Sequence, residues 1–142
     1  MSLWVRKKQA FFLQQYQIKA MLKYPGQDRS IVNVVSVLGL ATTGLSSLEA
    51  TGHHGVLGFT RSGALDCATL GIRVNGVCPG PLETLEAKDP ARAAVEIKKL
   101  PFGRLTRVAD VVGPVVFLSS SAAAGINGHC LPVDGGWMLR HI

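Results

Sequence analysis

Ser36, Glu49 and His53 are the residues whose types and spacing could do chemistry. Glu49 and His53 stand four positions apart, so on one helix their side chains share a face. A carboxylate that orients an imidazole, and an imidazole that moves a proton, make an acid–base pair. Ser36 closes a β-branched run, and its hydroxyl could hold a substrate oxygen. Such a trio could isomerise, dehydrate or cyclise a small molecule without a cofactor. The plainer alternative is a weak polar pair on a solvated helix surface.

Other chemistries find less support. Glu49 and His53 lack a third ligand at metal-binding spacing, so no metal is expected, and His54 should face elsewhere. No Gly-x-Ser-x-Gly elbow surrounds Ser36, which argues against a hydrolase nucleophile. Cys67, Cys78 and Cys130 are too few and too widely spaced for a disulfide framework or a Cys-x-x-Cys site. Cys78 and Cys130 lie in or beside strands and read as core thiols. Trp137, just after Gly136, could anchor an oligomer or cover the end of the sheet.

Helices and strands must position these residues. Apolar residues recur near helical spacing from Leu3 to about Lys23, and Pro25-Gly26 stops that helix. Ser30 to Ser36 is short and apolar on both alternating faces, as a buried parallel strand would be. A helix should run from Ser46 or Ser47, capped there with help from Glu49, to about Leu70. Ile72 to Cys78 reads as a strand ended by Pro79-Gly80-Pro81. Helices follow over about Asp89 to Lys99 and Val108 to Ser120, and a last strand over His129 to Val133. This order predicts an α/β fold with parallel strands joined by right-handed crossovers.

The 142 residues suffice for one domain that buries about 68% of its unfolded surface. Apolar residues at 47% and charged residues at 17% exclude a disordered chain. The net charge of +6 does not imply nucleic-acid binding: Arg6, Lys7, Lys8, Lys19 and Lys23 share one helical stretch, without aromatic interleaving. No apolar run is long enough to span a bilayer, and the N-terminus lacks the apolar core of a secretion signal. No membrane association and a cytoplasmic location are expected.

Several ordered motifs resemble the short-chain dehydrogenase/reductase family. Ile31-Val32-Asn33-Val34-Val35-Ser36 is similar to its strand ending in the active-site serine. His54-Gly55-Val56-Leu57-Gly58-Phe59-Thr60-Arg61 resembles its long helix after the catalytic tyrosine and lysine. Gly71 to Pro81 resembles the next strand and its Pro-Gly turn, with Thr84 at the usual threonine. Pro101-Phe102-Gly103-Arg104 and Val133-Asp134-Gly135-Gly136 match the closing motifs. The resemblance covers nearly the whole chain but only the C-terminal half of a family member.

Residues 1–142 are therefore expected to form one truncated Rossmann-like domain of about three strands with flanking helices. The family's first strand–turn–helix carries a Gly-rich dinucleotide cradle, and no such unit precedes Pro25. Thr51 to Gly58 is Gly-rich, but it lies within a helix, where it would permit close packing rather than hold phosphate. The resemblance implies a tyrosine at the position of Glu49 and a lysine at His53, with Ser2 where a helix asparagine is usual. A phenol keeps its proton to about pH 10, whereas a carboxyl loses it far below neutrality, so the exchange alters the proton chemistry.

These readings predict no bound cofactor and no ordinary nicotinamide-linked hydride transfer. The expected function is a cofactor-independent isomerase, cyclase or dehydratase acting on a hydrophobic small molecule through Ser36, Glu49 and His53. The alternatives are a non-catalytic binding module, and an oxidoreductase whose cofactor half comes from another chain. The strand from Ile31 to Ser36 would be left as an apolar edge. A homo-oligomer is expected through that edge and the first two helices.

Overall fold

In the computed structural model, residues 3–44, 46–86 and 89–140 are described. Arg29–Val34 (β1), Ile72–Pro79 (β2) and Cys130–Val133 (β3) pair in parallel, in that order across the sheet. Arg29 lies opposite Ile72 and Val34 opposite Val77, while Gly76 pairs with Cys130 and Pro79 with Val133. Helices α1 (Leu3–Met21) and α2 (Ser47–Ala68) pack together on one face. Helix α5 (Val108–Ser119) packs on the other, after a short α3 (Glu83–Glu86) and α4 (Pro90–Lys99). This is the expected three-stranded α/β arrangement.

Every residue of β2 is buried, because both its faces are covered and both its edges are paired. Ile72 and Val74 pack with Ile31, Ala64 and Cys67 beneath α1 and α2. Val77 packs with Leu118 and Ala123 on the α5 side. A third cluster, at the C-terminal ends of the strands, joins Val35, Val37, Leu57, Cys78, Leu100, Cys130 and Trp137. Trp137 is 4% exposed, so it covers the sheet end and is not an exposed anchor.

Polar residues inside this sheet bind the backbone around them. Asn75 Nδ2 donates to the Ile126 carbonyl at 2.8 Å, and Asn75 Oδ1 accepts from His129 N–H at 3.0 Å. Arg73 donates to the carbonyl of Leu118, in the last turn of α5, and to that of Ser120, while its Nε has no partner among the described residues. Asn33 Nδ2 donates to Gln14 Oε1 and Thr60 Oγ1, tying α1, β1 and α2 together. A Cβ at residue 63 would displace the Gln14 amide, so Gly63 leaves room for that amide where α1 packs on α2.

Helix starts differ in part from expectation. Asp89 caps α4 by accepting from Arg92 N–H, with Pro90 in the first turn. Ser46 stands at the N-cap of α2, but its hydroxyl turns back to the Thr43 carbonyl at 2.6 Å. The loop satisfies this serine before the helix can use it. Gly55 and Gly58 have open space where a Cβ would lie, so they do not mediate close packing.

Asp110 secures the start of α5. Its carboxylate accepts from Arg107 N–H at 2.9 Å and from both terminal nitrogens of Arg104, at 2.6 and 3.2 Å. The Arg104 guanidinium, and then the Arg107 N–H, hold the Asp110 carboxyl at about 2, below its ordinary 3.8. A depressed carboxyl stabilises the fold above about pH 4, and that contribution is lost as pH falls towards 2. Asp110→Asn should lower the urea midpoint at pH 7 and flatten its fall between pH 4 and 2. An unchanged acid limb would show that the pair does not contribute.

Candidate functional site

Ser36 leads into a turn that packs against α2, the helix that carries Glu49 and His53. Val35 N–H extends the β1 ladder to the Val77 carbonyl at 2.8 Å, and Ser36 then leaves the sheet. Ser36 remains extended, with φ −178° and ψ 156°, and its Oγ accepts from Leu38 N–H at 3.2 Å. That bond starts a single 3₁₀ turn, Val37–Gly39, which lies directly against α2. A Cβ on residue 39 would sit 2.9 Å from the His53 carbonyl oxygen, so only glycine permits this approach.

Glu49 lies exposed in the first turn of α2, and His53 is half-buried one turn later. His54 Nδ1 lies 2.9 Å from the Ala50 carbonyl, so that ring is spent on its own helix. The backbone thus brings the Ser36 turn against the His53 turn, with Glu49 at the solvent end. Ser2 lies outside the described residues. A cleft of about 180 Å³ lies elsewhere, lined by Phe102, Arg104, Thr106, Asp110, Val133 and Asp134. It does not include Ser36, Glu49 or His53.

Cys78 and Cys130 are buried in the cluster at the strand ends, as expected of core thiols, and they lie on adjacent strands.

The dinucleotide implied by the resemblance can be tested against the strand-end turns. A pyrophosphate needs free backbone N–H groups at a strand end or helix start. After β1, the amides of Leu38, Gly39, Leu40 and Ala41 all donate within their own turn. After β2, Gly80 N–H is bonded to the Val133 carbonyl and Glu83 N–H to that of Thr106, and Pro81 has no N–H. After β3, Gly136 and Met138 donate to the Asp134 carboxylate and Trp137 to its carbonyl. The amides named in these turns are thus already bonded and do not cradle a pyrophosphate.

Comparison with known proteins adds the chemistry. A family model described as enoyl-(acyl carrier protein) reductase matches residues 8–138. The chain is 37% identical to 2-dehydro-3-deoxy-D-gluconate 5-dehydrogenase of Bacillus subtilis over 134 residues, covering 92% of this chain and 52% of that protein. It is 40% identical over 126 residues to 3-oxoacyl-[acyl-carrier-protein] reductase of Vibrio harveyi, covering 85% and 51%. A structure from Agrobacterium tumefaciens, titled for 2-deoxy-D-gluconate 3-dehydrogenase and holding NADP, superposes with a TM-score of 0.82. It is 34% identical and covers 92% of this chain and 55% of its own. The chain spans about half the length of the curated relatives it matches.

These names correct the expected function. The relatives are dehydrogenases and reductases, and none of them is named for cofactor-independent isomerisation, cyclisation or dehydration. The geometry gives a physical reason for abandoning that reading. Acid–base chemistry on a hydrophobic molecule needs a site that excludes water, yet Glu49 faces solvent.

Proposed function

This chain belongs to the short-chain dehydrogenase/reductase family, and on that premise we propose that it is the substrate-side half of a nicotinamide-linked oxidoreductase. Its substrate is a small molecule with a hydroxyl or carbonyl group, and the nucleotide is held by residues outside these 142. The observation that carries this reading is the bonding of the Leu38–Ala41, Gly80 and Gly136 amides at the strand ends, in a chain whose relatives are dehydrogenases of about twice its length. In the hydroxyl of Ser36, one lone pair accepts from Leu38 and the O–H stays free to donate to a substrate oxygen.

Glu49 and His53 take the places where the family resemblance puts a tyrosine and a lysine. The proton exchanged with the substrate oxygen then passes through a carboxylate–imidazole pair open to water. Such a pair is a poor replacement for a sheltered phenol, so turnover is slow. The test is a hybrid in which this chain follows the N-terminal half of the A. tumefaciens relative. It should bind NADPH saturably, and a folded hybrid that does not would refute the assignment.

We also infer that α1, α2 and the free edge of β1 meet a second copy of the chain. Phe12, Tyr16, Leu48 and Leu65 are exposed on the two helices, and Val34 is 59% exposed on the edge strand. Exposed apolar faces and open strand edges favour association. Light scattering at micromolar concentration should give twice the chain mass. A monomer would contradict the inference.

A further inference from the structure

We propose that Cys78 and Cys130 are a peroxide-oxidisable dithiol whose disulfide would lock β2 to β3 directly beneath Ser36. This goes beyond the oxidoreductase assignment and does not depend on it. The register places the two side chains on one face of adjacent strands: Cys78 pairs with Pro132, two residues beyond Cys130. Both belong to the cluster under Trp137, at 0% and 6% exposure.

The Cys130 sulfur leans over β2 at Gly76. A Cβ at residue 76 would lie 2.8 Å from it, so glycine at that position is what admits the sulfur. The neighbouring Cys78 thiol, with the Arg61 charge nearby, lowers the Cys130 thiol despite its burial. Cys130, and then burial, push Cys78 up. Cys130 is thus the candidate attacking thiol and Cys78 the resolving one.

The chemistry balances with a hydroperoxide as the two-electron oxidant. The Cys130 thiolate attacks one peroxide oxygen, the O–O bond breaks, and the departing hydroxide takes a proton and leaves as water. Cys78 then attacks the resulting sulfenic sulfur, forms the S–S bond and expels the second oxygen as water. Two thiols and one hydrogen peroxide become one disulfide and two waters. Diagonal neighbours on paired strands stand about 7–8 Å apart at Cα, whereas a disulfide spans about 4.4–6.8 Å. Closure therefore needs β3 to shift by about 1 Å. Strand β3 has four residues, and Pro132 opposite Cys78 contributes no N–H to hold it. A bridge formed under such strain is readily reduced.

Cys67 provides an internal control. It is buried in a different cluster, and burial followed by the Asp66 charge raises its pKa. The chain should be treated with hydrogen peroxide, denatured, titrated for free thiols and mapped by mass spectrometry. Three free thiols should fall to one, with a peptide joining Cys78 to Cys130, and dithiothreitol should restore all three. In Cys78→Ser, dimedone should trap a sulfenic acid on Cys130. A bridge that includes Cys67, a disulfide between chains, or three thiols surviving treatment would overturn the proposal. So would over-oxidised Cys130 beside reduced Cys78 in the unaltered chain.

Discussion

In the hybrid that restores a nucleotide half, Glu49→Tyr with His53→Lys should reduce a small ketone at least about 100-fold faster than the parent hybrid. A positioned general acid contributes about 10²–10⁴-fold, and a phenol that keeps its proton at pH 7 can deliver one to a carbonyl oxygen as hydride arrives. Glu49 is exposed in the first turn of α2, so the larger ring meets no packed wall. His53 is half-buried one turn later, and a lysine there can lie along the helix with its ammonium beneath the ring. The rate is read from loss of NADPH absorbance. Equal rates in parent and variant hybrids would mean that neither position takes part in proton transfer. His53→Lys alone should not give this gain, because position 49 would still carry no phenol and the imidazole of the pair would be lost.

The second large effect concerns stability. Asn75→Ala should cost about 3 kcal/mol, because it leaves the Ile126 carbonyl and the His129 N–H without their partner. The side chain is 0% exposed, so water cannot replace it without opening the sheet. With a urea slope of about 1–3 kcal/mol/M, the midpoint should fall by roughly 1–3 M. Ser62→Ala is the matched control: Ser62 is exposed and lies 3.5 Å from Asp66, so its midpoint should not move. A loss below about 1 kcal/mol for Asn75→Ala would show that the 126–129 loop finds other partners.

The sheet was readable because its strands are β-branched runs ended by strong breakers. Ser30 to Ser36 stops at a serine that starts a new turn, and Ile72 to Cys78 stops at Pro79-Gly80-Pro81. Arg73 and Asn75 were harder. Alternating with apolar neighbours, they look like a solvent face, yet both are buried. The carbonyls that end α5 and the loop after it lie over them, and no local pattern announces partners some 50 residues away. Ser46 misled for a related reason, since a cap is a competition and the Thr43 turn wins it.

At the site, sequence spacing correctly put Ser36 at a strand end and Glu49 and His53 one turn apart on α2. It did not reveal that Glu49 would be open to solvent, and the inferred cofactor-free chemistry rested on enclosure. Nor does spacing show where backbone amides point. Their engagement in the turns after β1, β2 and β3 emerges only from the assembled sheet.

That engagement makes nicotinamide binding by the chain itself the most direct measurement. NADPH titrated calorimetrically into the 142-residue chain should show no saturation up to about 1 mM, an affinity weaker than about −4 kcal/mol. Saturable binding with a Kd near 1 μM, about −8 kcal/mol, would place a nucleotide site within these residues and contradict the account.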